Sequence, residues 1–193
     1  VRLRNSGNQK GAIFGAGLAL AFLTVAIPAQ LTGYSITIGW AIEAAALAWI
    51  ALRLNSAWVL GGSWLVGWLV LMRLVMADAT NYWPATGEPY NLFLNPRFLP
   101  FLAAAVSYAL IAYFASTTSA IAKRLAGIPM VFAHFTLLWG LHLEAFAYIG
   151  ATNEYGSTAT SLKALVSSIL LATYGVMRHD PADPHWPDRD RFV

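Results

Sequence analysis

Cysteine is absent from the 193 residues, and charged side chains make up only 11% of them. The first absence excludes disulfides, thiolate catalysis and cysteine-ligated metals. The charged fraction is less than half of the roughly 25% that soluble domains carry. Apolar residues are abundant instead: 58% of the chain is hydrophobic and its mean hydropathy is +0.57. This balance indicates a protein whose main solvent is the lipid bilayer.

Six apolar stretches account for most of the chain. A bilayer core about 30 Å thick needs roughly 20 mostly apolar residues per helix. The stretches are apolar all round rather than alternating with period two, so they predict helices rather than barrel strands. We therefore predict an all-α transmembrane bundle over 11–178, with helices near 11–33, 34–52, 57–77, 98–116, 126–150 and 159–177.

Lysine and arginine are unevenly divided between alternate connections, and this asymmetry predicts orientation. With the N-terminus in the cytoplasm, nine of the 12 basic residues fall on the cytoplasmic side. Arg97 and Lys163 fall outside, and Arg73 lies within a helix. Both termini are therefore predicted to be cytoplasmic. A signal peptide is the competing interpretation of the first stretch, because basic residues precede it and Ala26–Ala29 resembles a cleavage site.

Three segments outside the helices complete the predicted organisation. Residues 1–10 form a cytoplasmic tail, and the aromatic-rich connection 78–97 lies against the outer headgroups. Residues 179–193 contain three prolines and alternating charges, which predicts a disordered cytoplasmic tail.

Motifs of soluble enzymes are missing. There is no Walker loop, no Gly-x-Gly-x-x-Gly fingerprint, no Gly-x-Ser-x-Gly elbow and no His-Glu-x-x-His. No basic run resembles a nucleic-acid-binding arm. His142 and Glu144 are two residues apart, so they diverge by about 200° on a helix and do not face one ion. We expect no metal, no cofactor and no nucleic-acid partner, and these motifs leave any catalytic residues unknown.

Ionisable side chains within apolar stretches are costly in lipid and are therefore candidate functional residues. Glu43 lies nine residues into the second helix, which places it about 14 Å deep, near the midplane. Arg73, Arg97, His142 and Glu144 fall in one band near the outer surface. We hypothesise an outward-facing polar pocket in which Arg73 or Arg97 pairs with Glu144 and Glu43 forms the floor.

Structural interpretations of the same residues stay open. Arg73 could extend its charged end to the outer interface, and Glu144 could pair with an arginine without any ligand. His134, nearer the middle of its helix, is predicted to be a neutral packing histidine. Asn95 precedes Pro96 and is placed to cap the helix that follows. The positive charge of Arg97 lies at the N-terminal end of that helix, where the helix macrodipole makes a positive charge unfavourable. This indicates a partner such as Glu144, a phosphate headgroup or an anionic substrate.

Three segments together resemble the bacterial family of multi-pass membrane proteins called domain of unknown function 2339. The segments are Trp40–Trp49 followed by Leu52-Arg53, then Leu94–Phe98 with the sequence Leu-Asn-Pro-Arg-Phe, and Leu141–Glu144. The resemblance covers roughly 11–178 and singles out Glu43, Asn95, Arg97 and Glu144. It implies a multi-pass protein of the bacterial inner membrane.

The resemblance also has an implication for whether this chain is a whole protein or part of one. Members of that family are usually longer, with further helices, so it implies that this chain is an internal piece or a truncated member. The lipid bilayer and further helices or membrane subunits are the expected partners. The family name records that no activity is assigned to it.

Three functions are compatible with these features. The first is binding or moving a lipid-like or anionic solute through the polar pocket. The second is a membrane-embedded transferase for lipid-linked substrates, in which Glu43 or Glu144 is the base, Arg97 holds a phosphate, and Asp78 and Glu88 lie in the outer loop. The third is a helix scaffold within a larger protein.

Overall fold

The computed structural model describes residues 6–80, 91–118, 120–152 and 157–178. These residues contain no β-strand and form six long helices and one short one, which confirms the all-α prediction. The long helices are α1 (Ser6–Gln30), α2 (Ser35–Leu54), α3 (Ala57–Arg73), α4 (Phe98–Thr118), α6 (Gly127–Thr152) and α7 (Ser157–Arg178), and the short one is α5 (Ala120–Leu125).

Four helical stretches in the described part of the chain are long and apolar enough to span a membrane. They are Ser35–Leu54, Ala57–Asp78, Phe98–Thr117 and Ala122–Ala151. The apolar part of α1 is shorter, at Gly17–Gln30, and α7 carries Lys163 and several hydroxyl side chains. The four stretches indicate a membrane protein. A total of six spans and the side on which the termini lie stay predictions.

Helices α2, α3 and α4 pack against one another, α6 packs on α4, α7 packs on α6, and α1 packs on α2. The beginnings of α2 and α4 meet the ends of α3 and α6, as the contacts Thr37–Asp78 and Asn95–Glu144 show. We call this end of the bundle the Arg97 end. The opposite end, where Arg53 lies in the last turn of α2, is the Arg53 end.

Small residues and hydroxyl groups hold the central helices together. Ala41, Ala44, Ala48 and Ala51 line the buried face of α2. The hydroxyl of Ser63 donates to the Ala44 carbonyl at 2.7 Å, and that of Ser107 donates to the Ala41 carbonyl at 2.7 Å. Because lipid is as apolar as the side chains, close packing and such interhelical hydrogen bonds stabilise the bundle instead of hydrophobic burial.

Helices α6 and α4 lie close together at Gly140. A Cβ atom added there would lie 2.7 Å from the Cβ of Phe101, a distance that forces one helix to shift. Glycine at this position lets the ring of Phe101 pack on Trp139, with ring centroids 5.3 Å apart. The contact fixes the register of α6 against α4, and with it the position of Glu144 one turn later.

The helix bounds differ from the predicted ones at several points. Helix α1 begins at Ser6, inside the predicted tail 1–10, because polar residues can continue a helix beyond its apolar part. The third helix ends in a π-helical turn, Leu74–Asp78, which apolar patterning does not reveal. The short helix α5 was not predicted. Residues 81–90 of the predicted outer loop, and the predicted tail 179–193, lie outside the described residues.

Candidate functional site

Pro28 determines how α1 attaches to α2. Proline has no backbone N–H, so the carbonyl four residues earlier, on Thr24, loses its helical donor. The indole Nε1 of Trp40 donates to that carbonyl at 2.9 Å. A hydrogen bond that α1 cannot make internally is thus supplied by α2, which joins the two helices at the level of Thr24.

The Thr24 side chain makes a second link, to Glu43. Its hydroxyl lies 2.7 Å from Glu43 Oε1 and 3.0 Å from the Leu20 carbonyl. A hydroxyl has one hydrogen, so it serves one of these acceptors at a time. Glu43 Oε2 is buried and has no hydrogen-bond partner among the described residues. Only one oxygen of this carboxylate is therefore satisfied by the protein.

Glu43 lines an apolar groove between α1, α2 and α3. The groove has a volume of about 410 Å³. It runs from Glu43 along α2 toward the Arg53 end, where Ile50 and the largely exposed Trp58 line it. We call it the Glu43 groove; its lining residues are Gly17, Ala19, Leu20, Leu23, Glu43, Ala46, Leu47, Ile50, Trp58 and Val59. Glu43 is the ionisable member of this set.

A second carboxylate, Asp78, lies at the Arg97 end. A bond of 2.9 Å from the Ala79 N–H to the Leu74 carbonyl spans five residues, as in a π-helix. Such a turn rotates the residues that follow, and here Asp78 becomes buried and accepts a hydrogen bond from the Thr37 hydroxyl of α2. The outer-loop position expected for Asp78 is therefore corrected to a buried position at the end of α3.

Arg73 belongs to the same cluster as Asp78. Its Nη2 donates to the Gly33 carbonyl at 2.8 Å, and its charge attracts the Asp78 carboxylate. The residues Gly33, Thr37, Arg73 and Asp78 form what we call the Asp78 cluster. It joins the α1–α2 turn, α2 and α3, so its arrangement supports a structural role.

The third carboxylate, Glu144, joins the segment before α4 to α6. Its Oε1 accepts hydrogen bonds from Asn95 Nδ2 at 2.5 Å and from the Phe93 N–H at 2.7 Å. The other end of the Asn95 amide, Oδ1, accepts from the N–H groups of Arg97 and Phe98 at 3.0 and 2.9 Å. Asn95 thus caps α4, as its sequence position predicts.

Phe93 adopts a left-handed backbone conformation, with φ of 64°, that is rare for a bulky residue. The conformation is maintained because its N–H binds Glu144 and its ring packs edge-on against Phe98, at 5.3 Å between centroids. The Arg97 side chain is buried here as well, at 3% exposure. We call Phe93, Asn95, Arg97 and Glu144 the Glu144 cluster.

The two histidines of α6 face α7 rather than either cluster. His142 Nδ1 lies 3.4 Å from the Ser167 hydroxyl, and its ring stacks on Phe146 at 4.2 Å. His134 contacts the Tyr174 ring and the Met130 carbonyl. Within the described ranges, no group of three or more acidic, histidine or cysteine residues is placed to hold a metal ion.

A larger apolar groove of about 620 Å³ lies between α2 and α4. Its lining residues are apolar except for Ser107, whose hydroxyl is already bonded to Ala41. It offers contact area to an apolar chain and has no ionisable side chain in its lining, which distinguishes it from the Glu43 groove.

The predicted candidates thus separate into four places. Asn95, Arg97 and Glu144 come together, Arg73 joins Asp78, and His142 faces α7. Glu43, expected as the floor of the same pocket, faces Thr24 of α1 instead. Sequence analysis missed Thr24 and Trp40, although Pro28 four residues after Thr24 signals a carbonyl in need of a donor.

Comparisons of the chain with protein-family models, with curated proteins and with solved structures found no match.

Proposed function

We propose that this protein binds a lipid-like molecule within the membrane, in the Glu43 groove. The observation that carries the proposal is the buried Oε2 of Glu43, which lacks a partner among the described residues in an otherwise apolar groove. A buried polar atom without a hydrogen bond costs roughly 1–3 kcal/mol, so a ligand that supplies a donor there gains affinity.

The shape and composition of the groove define the class of ligand. Apolar side chains of α1, α2 and α3 provide contact for a hydrocarbon body, and Glu43 provides one polar anchor at the deep end. An anionic solute would be repelled by the Glu43 carboxylate. Of the two solute classes predicted from sequence, the groove therefore supports the lipid-like one.

The transferase alternative receives less support from the geometry. A general base must reach the proton that it removes. Glu144 is 1% exposed and accepts two hydrogen bonds from the protein, so it is held in a structural position. Glu43 lies in a groove without a neighbouring basic lining residue that would bind a phosphate.

The setting of the protein is part of the proposal. The four apolar helices support a membrane location, and the resemblance of three sequence segments supports the bacterial inner membrane. The distribution of basic residues supports cytoplasmic termini, which would place the Arg53 end at the cytoplasmic leaflet. Further helices or subunits are proposed as partners on the same sequence resemblance.

Photocrosslinking tests the binding site. The purified full chain in lipid nanodiscs is exposed to 12-carbon chains that carry a diazirine and end in either a hydroxyl or an ammonium group, and crosslinks are mapped by mass spectrometry. We expect at least one probe to label 17–23 and 46–59, the segments that line the groove, in excess over other lipid-facing segments.

Two glycine variants provide the matched test. Gly17→Leu places a side chain in the groove, and Gly61→Leu adds the same side chain to α3 away from it. A Cβ atom at either position meets nothing within 4 Å, so both variants should fold. Labelling should fall with Gly17→Leu and persist with Gly61→Leu. Labelling that is uniform along the helices and equal in the two variants would refute the proposal.

A further inference from the structure

The charge of Glu43 is not balanced by the residues around it. At the other end of the bundle, by contrast, the charge of Arg73 attracts the Asp78 carboxylate. The other residues that line the Glu43 groove are uncharged. A carboxylate buried in an apolar medium is neutralised by a proton or paired with a cation. Glu43 is therefore either protonated or paired with a cation that the other residues lining the groove do not supply.

Thr24 can accommodate both states without moving. When Glu43 is ionised, the Thr24 hydroxyl donates to Oε1 across 2.7 Å. When Glu43 is protonated, the carboxylic acid donates to the Thr24 oxygen, and the hydroxyl hydrogen turns to the Leu20 carbonyl at 3.0 Å. The two acceptors within reach of one hydroxyl thus provide a hydrogen-bond arrangement for each state of the carboxyl group.

We propose that Glu43 exchanges its proton for the ammonium group of a lipophilic amine. This inference rests on the proposed function and names the ligand class. In the exchange, the O–H bond of the Glu43 carboxylic acid breaks, the proton leaves to water, and the ammonium ion pairs with the carboxylate. One ammonium N–H donates to Oε2, the oxygen that lacks a partner among the described residues. The alkyl chain lies along Leu47 and Ile50.

A neutral amphiphile behaves differently at the same site. An alcohol can donate a hydrogen bond to Glu43 but brings no charge, so it binds without displacing the proton. The ion pair, formed where water is largely excluded, adds to the affinity of the amine. Preference for an amine over an alcohol of equal chain length, together with proton release, therefore distinguishes exchange from simple binding.

Calorimetric titration of the full chain in phosphatidylcholine nanodiscs measures both quantities. Dodecylammonium and dodecanol are the probes, empty nanodiscs are the blank, and buffers of different ionisation enthalpy report the protons released. We expect dodecylammonium to bind about tenfold more tightly than dodecanol or better, with about one proton released per ligand below the pH at which Glu43 is ionised when empty. Dodecanol should release none.

Two variants separate the possible outcomes. Glu43→Gln should abolish the proton release and lower the affinity for dodecylammonium to that for dodecanol. Equal binding of both probes to the unmodified chain, without proton release but with loss of both in Gly17→Leu, would overturn the amine inference and leave the proposed function intact. Absence of binding above the blank for both probes would overturn both proposals.

Discussion

The carboxylates at the Arg97 end and the carboxylate of Glu43 are all buried, yet they differ in what satisfies them. Asp78 accepts a hydrogen bond from Thr37 and lies near Arg73. Glu144 accepts two hydrogen bonds from the segment before α4. Glu43 has an oxygen without a partner among the described residues. Carboxylates that hold the fold together are satisfied by the chain itself, whereas the incompletely satisfied one marks the site for a ligand.

The largest effect should follow from disturbing the Glu144 cluster. In Glu144→Gln, the amide oxygen still accepts from Asn95 and Phe93, but two hydrogen bonds to a charged group become two weaker bonds to a neutral one. We therefore expect a loss of about 3 kcal/mol in the free energy of unfolding. Unfolding by dodecyl sulfate in mixed micelles, followed by circular dichroism, measures it. A loss below about 1 kcal/mol would remove the structural role assigned to Glu144.

For the Asp78 cluster we expect an intermediate change in the free energy of unfolding. Thr37→Val keeps the shape of the side chain but removes the hydroxyl that donates to Asp78. A hydrogen bond to a charged group contributes about 1.5–3 kcal/mol, so unfolding should become about 2 kcal/mol easier. Thr160→Val, on the exposed face of α7, is the matched control and should change little. If Thr37→Val and Thr160→Val changed the free energy of unfolding equally, the hydrogen bond from Thr37 to Asp78 would not stabilise the fold.

A smaller effect is expected where α1 meets α2. Trp40→Phe removes the indole donor from the Thr24 carbonyl, which should cost about 1 kcal/mol. In a Pro28→Ala background, the restored N–H can bond to that carbonyl, so the same Trp40→Phe change should cost clearly less. A double-mutant cycle of unfolding free energies isolates this coupling. If the effects of the two substitutions on the free energy of unfolding were additive, the contribution of the Trp40 hydrogen bond would not depend on the N–H that Pro28 lacks.

The helices were predictable from sequence because apolar stretches of the required length have few alternatives in lipid. Asn95 was predictable as a cap because the Asn-Pro-Arg segment is a local signal. The partners of Glu43 and Asp78 were not. The first depends on which face of α1 meets α2, and the second depends on a π-helical turn that rotates Asp78 inward. Such rotations are set by packing between helices, which apolar patterning does not encode.

Glu43→Gln should have the smallest effect on stability and therefore gives the sharpest comparison with Glu144→Gln. The glutamine oxygen can still accept a hydrogen bond from Thr24, and the amide nitrogen takes the place of Oε2 as the buried polar atom without a partner among the described residues. We expect the free energy of unfolding to change by less than about 0.5 kcal/mol. If Glu43→Gln destabilised the protein as much as Glu144→Gln, Glu43 would be one more structural carboxylate, and the basis for a ligand site in its groove would be lost.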